Sequence, residues 1–65
     1  MTMTAYEVMI ETRDFRMSRI LATTTKAEAV QIARQWARET SGEIAWVHVF
    51  SLATDQSVFS IQNLL

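Results

Sequence analysis

Cysteine is absent from this 65-residue chain, so neither a disulfide nor a thiolate metal site can brace its fold. Histidine occurs once, at His48, and one imidazole makes a zinc centre only where several carboxylates converge on it. No metal and no cofactor are therefore expected. Glycine also occurs once, at Gly42, which excludes a glycine-rich phosphate loop. No apolar run approaches the roughly 20 residues that span a bilayer. The opening Met1-Thr2-Met3-Thr4-Ala5 lacks the basic and apolar blocks of a signal peptide, and Met3 can serve as a second initiator. A cytoplasmic protein with no membrane partner is the expectation. A basic surplus is missing as well: six Lys and Arg stand against seven Asp and Glu, for a net charge of −1. Nucleic acid stays open as a partner but is not favoured, because its binders gather basic residues on one face.

What is present is a globular balance, 49% apolar and 20% charged residues. The length allows one domain, 1–65. A chain this short buries only about 60% of the surface its unfolded form exposes. Small folds commonly need a staple. With disulfides and metals excluded, self-association is the remaining support, and a homodimer is expected.

The order of elements follows from periodicity. Tyr6, Val8 and Ile10 alternate with Glu7, Met9 and Glu11, the period of a half-buried strand. Arg13-Asp14 is a polar break suited to a hairpin turn. A second strand is predicted from Phe15 to Thr23, where the alternation slips at Ile20-Leu21 as a bulge would make it. Thr25-Lys26-Ala27-Glu28 is a capping box, with Thr25 as N-cap and Glu28 reaching back to it. Ala29, Val30, Ala33, Trp36 and Ala37 then form an apolar stripe at helical spacing, flanked by Ile32. The helix is predicted over about 26–40 and capped by Gly42. Ile44 to Leu52 is apolar on both alternating sets and reads as a central strand. A turn at Thr54-Asp55-Gln56 leads to a last strand over Val58 to Gln62, after which 63–65 fray or fold back. These elements predict an α+β fold of ββαββ order, a four-stranded, mainly antiparallel sheet with one helix on one face.

Catalysis finds little footing. Glu7 and Glu11 lie four residues apart on one strand face, roughly 13 Å at strand rise, too far for a glycosidase pair. No nucleophile elbow surrounds the serines. His48 reads as a packed or interface residue, and no enzyme is expected. Arg13, Arg16 and Arg19 cluster on the first hairpin beside acids that cancel their field, and there they guard a sheet edge.

The central strand offers the main candidate site. Trp46, His48 and Phe50 share one face; Ala45, Val47 and Val49 share the other. Periodicity cannot orient a strand that is apolar on both faces. In one orientation the small set lies under the helix, and Trp46, His48 and Phe50 join Met9 on the open face. Arg16 and Arg19 then lie at the rim. In the other, the large set is core. Aromatics with Met and Arg are what protein interfaces enrich, and aromatics on a sheet can also stack bases. An open apolar face of this size is unusual on a monomer. The expected role is a non-catalytic binding module with a protein partner.

The strand Tyr6-Glu7-Val8-Met9-Ile10-Glu11, followed by Thr25-Lys26-Ala27-Glu28-Ala29 and Ala33-Arg34, resembles a pattern in small bacterial and phage proteins. The opening strand and the helix start are similar to those of HicB-type antitoxins. The Pro- and Gly-containing segment before their helix, and their DNA-binding extension, do not occur here. The size, the absence of cysteine and the element order resemble some phage-encoded anti-CRISPR proteins. That resemblance implies a small inhibitor or regulator that occupies a surface of a nuclease complex without chemistry of its own.

Overall fold

A computed structural model describes residues 5–64. The expectations about the chain start, including Met3, and about Leu65 lie outside the described residues. Five elements follow in the expected order: β1 Tyr6–Thr12, β2 Met17–Thr23, α1 Lys26–Trp36, β3 Ile44–Ser51 and β4 Gln56–Gln62. The strands form one antiparallel sheet in the order β2-β1-β3-β4, and α1 packs on one face of it. This is the α+β ββαββ architecture that the alternation pattern predicts.

Close approach decides which face the helix covers. Ala29, Ala33 and Ala37 are buried along its inner side, and Val8, Val47 and Val49 below them are 0% exposed. Val8 stands opposite Val49 and Ile10 opposite Val47. Alanine against valine lets the helix settle near the backbone of the sheet without voids, at the density of a protein interior. Tyr6, Ile10, Ile20, Val30, Ile32, Trp36, Phe59 and Ile61 close the rim of this core. Val47 and Val49 of the small set are therefore core, and the alternative with Trp46, His48 and Phe50 inside does not hold; Ala45, the extra residue of a bulge in β3, yields its expected core place to Ile44.

The slip at Ile20-Leu21 is a bulge: Val8 pairs with Leu21 and Met9 with Arg19, leaving Ile20 as the extra residue. The last strand begins at Gln56, two residues before the expected start. Asn63 neither frays nor folds back. Its N–H donates to the Ala45 carbonyl at 2.9 Å, and its buried side-chain Nδ2 donates to the Glu39 carbonyl at 2.8 Å.

Two helix-end expectations need correcting. The helix stops at Trp36, with Ala37 as its cap, short of residue 40. Beyond it, Arg38 and Glu39 donate to Gln35 and Trp36, tightening the final turn. The Asn63 side chain then takes the Glu39 carbonyl. Gly42 lies too far on to be the cap. It has φ +84° and turns the chain into β3, and its carbonyl accepts from Arg13 Nε at 2.8 Å. At the N-terminus Thr25 is the expected cap, its Oγ1 accepting from the Glu28 N–H at 3.3 Å, while the expected return bond from the Glu28 side chain is not formed among the described residues.

The first hairpin also departs from its pattern. Phe15 belongs to the turn, and β2 begins at Met17. The Phe15 N–H donates to the Thr12 carbonyl at 3.0 Å, and the Thr12 N–H donates to Arg16 at 2.8 Å. That is a tight turn followed by one left-handed residue, a position that glycine ordinarily fills. Phe15 fills it here with φ +67°.

Candidate functional site

With the helix on one side, the alternate residues of each strand form the opposite face. Register places Glu11 opposite Trp46, Met9 opposite His48 and Glu7 opposite Phe50. On the outer side of β1, Met17 stands opposite Glu11 and Arg19 opposite Met9. On the outer side of β3, Gln62, Ser60 and Ser57 stand opposite Trp46, His48 and Phe50.

Hydrogen bonds and ring contacts order this face. His48 is its centre. Its Nε2 lies 3.1 Å from Glu11 Oε1 and its Nδ1 lies 2.7 Å from Ser60 Oγ. Ser60 Oγ is in turn 3.2 Å from Ser57 Oγ. The imidazole stacks against Trp46 with centroids 6.1 Å apart and planes at 9°, and it tilts 55° to Phe50 at the same separation. Arg19 pairs with Glu7 at 3.6 Å. A side chain held by two hydrogen bonds and two rings loses little freedom when a partner docks, and such preorganisation lowers the entropic cost of association.

Ser60, His48 and Glu11 in line are also the parts of a nucleophile, base and orienting group. Catalysis further needs a place that holds substrate against the hydroxyl. An apolar hollow on this face, about 310 Å³, is lined by Glu7, Met9, Met17, Phe50, Leu52 and Asp55.

The structure thus gathers Trp46, His48, Phe50, Met9 and Arg19 on one surface. Arg16 is placed elsewhere. It lies at the hairpin turn, 3.4 Å from Asp14, and lines a separate hollow with Thr12, Ser18, Gly42 and Glu43. Ser57 and Ser60 escape a sequence reading because Val58 is an extra residue in β4, which breaks the alternation there. Leu52 and Asp55 belong to the β3–β4 turn, and only folding carries them to the end of the face. No known protein family, curated protein or solved structure matches the chain.

Proposed function

We propose that this chain is a non-catalytic binding module whose open sheet face receives another protein molecule. The carrying observation is the pairing of apolar surface with built-in order. Trp46 remains 36% exposed and Met17 44% exposed, beside a histidine locked by Glu11 and Ser60. Aromatic and Met side chains around a few satisfied polar groups are what the centre of a protein interface enriches. The charge on this face favours protein over nucleic acid. Glu7 and Glu11 lie on β1, one of its two inner strands, with Arg19 the one cation paired to them among the described residues, whereas phosphate contacts call for clustered cations. An inhibitor or regulator role, as the likeness to phage-encoded anti-CRISPR proteins implies, would follow from such occupancy.

A photo-crosslinking amino acid in place of Trp46, compared with one in place of Gln31 on the outer side of the helix, tests this in the host cell. Expected is a defined protein adduct from position 46 and none from position 31. Equal or absent labelling at the two positions rejects the open face as the binding surface.

A further inference from the structure

The hydrogen-bond chain across the open face fixes where each proton sits. Glu11 Oε1 lies 3.1 Å from His48 Nε2, and a carboxylate can only accept, so Nε2 carries the ring proton. Nδ1 of the neutral ring is then an acceptor. Its neighbour at 2.7 Å is Ser60 Oγ, whose proton points to it. Ser57 Oγ, 3.2 Å from Ser60 Oγ, is the donor in that contact. The hydroxyl of Ser60 is exposed, whereas the His48 side chain keeps 17% of its surface. Trp46 and Phe50 flank the imidazole, each with centroids 6.1 Å away, and hold it in line with the chain of bonds.

The backbone adds a further part. The Asn63 N–H donates to the Ala45 carbonyl, and pairing continues from there as Trp46 with Gln62, Val47 with Ile61 and His48 with Ser60. Bonded and unbonded pairs alternate along an antiparallel ladder, so Ile61 directs its backbone groups to β3, while Ser60 and Gln62 direct theirs away from it. β4 is an edge of the sheet, and no described strand lies beyond it. The Ser60 N–H is thus outside the ladder, next to its own hydroxyl. In acyl transfer the N–H of the nucleophile itself is one of the donors that stabilise the tetrahedral oxyanion.

We propose that Ser60 is an acyl-acceptor site, a hydroxyl that takes the acyl group of an activated ester or thioester. Ser60 Oγ attacks the carbonyl carbon as its proton passes to His48 Nδ1, and Glu11 holds the resulting imidazolium at Nε2. The bond from that carbon to the leaving oxygen or sulfur then breaks. The leaving group departs with the proton from Nδ1, and the acyl group stays on Ser60. Glu11 acts through His48 and is a positioning residue. A hydroxyl on an open face suits a donor that is already reactive, and the rings of Trp46 and Phe50 give an apolar acyl group a surface to lie on. The chain is then a stoichiometric acceptor rather than a catalyst, whether or not another protein docks on the face.

The probe is p-nitrophenyl acetate with the full chain at about pH 8, where an ordinary histidine is neutral. Intact mass and peptide mapping locate the acetyl group. Expected is acetylation of Ser60 ahead of Lys26 and the amino terminus, with matching release of nitrophenolate. His48→Gln slows this about 100-fold, Ser60→Ala abolishes the rapid release, and Ser57→Ala retains it. Nitrogen NMR of the unmodified chain finds the ring proton of His48 on Nε2, and Glu11→Gln loses that preference and the rapid acetylation together. A wild-type chain acetylated at Ser60 no faster than at Lys26 overturns the proposal, as does a His48→Gln chain, folded by circular dichroism, of unchanged rate. Rapid release that survives Ser60→Ala makes His48 itself the nucleophile and overturns it too. A ring proton on Nδ1 does the same with no variant involved.

Discussion

The two faces of the sheet are built from alternate residues of the same strands, yet they do different work. Beneath the helix, Val8, Val47 and Val49 are wholly buried against alanines. On the other side, Trp46, His48 and Phe50 leave part of their surface to solvent; His48 is held by Glu11 and Ser60, and Trp46 and Phe50 contact its ring. The covered face is made of small residues because a helix must come close. The open face carries large residues, and none of the described elements packs over it. Substitutions on the first should register in stability, and those on the second in association.

The sharpest way to break that division is Val49→Asp. It places an unpaired carboxylate in the core, at a cost of several kcal/mol that a marginal fold of this size cannot absorb. Circular dichroism should show an unfolded chain at 25 °C. A folded, cooperative Val49→Asp variant would falsify the assignment of the covered face. Asn63→Ala comes next. It removes a buried donor from the Glu39 carbonyl at the end of the helix, and denaturant titration should show a loss of about 1–3 kcal/mol.

Thr25→Ala strips the helix N-cap, and the same titration should register about 1 kcal/mol. Trp46→Ser should cost no more than about 1 kcal/mol, mainly the lost stacking on His48, yet abolish association on the open face. A large stability loss without an effect on association would reverse the roles of the faces. The smallest change is a gain. Phe15→Gly should stabilise the monomer by about 0.5–1 kcal/mol, because relief of the left-handed backbone exceeds the added chain entropy.

The two hairpin turns repeat the contrast on a smaller scale. Each ends in a left-handed residue, Phe15 at φ +67° and Asp55 at φ +55°. Aspartate tolerates that region by bonding to its own local backbone, so Asp55 is a conventional choice. Phenylalanine has no such compensation. This is why Phe15 reads from the sequence as the start of a strand: nothing in its local chemistry announces a turn. Arg16 moves for the same reason. With the turn extended by one residue, it falls beside Thr12 and Gly42, away from the aromatic row.

Much of the fold was legible in short windows. The helix cap at Thr25, the alternation of Tyr6 to Glu11 and the slip at Ile20-Leu21 each report an event within a few residues, and each has its counterpart in the structure. The segment between helix and β3 was not legible, because two of its carbonyls are satisfied from afar. Asn63 and Arg13 supply the donors to Glu39 and Gly42, and no local pattern encodes partners more than twenty residues away. The site was legible as a set of residue types but not as an array. That His48 bridges Glu11 and Ser60 depends on the register of three strands.

What the amino-acid order determined alone was the succession of elements and the pair of alternating sets on the central strand, since backbone periodicity and capping act over one or two turns of chain. Which set became core was settled only in three dimensions. Helix and sheet meet where alanine and valine allow the nearest approach, and that choice, made across the whole molecule, put the aromatic row on the side that no described element covers.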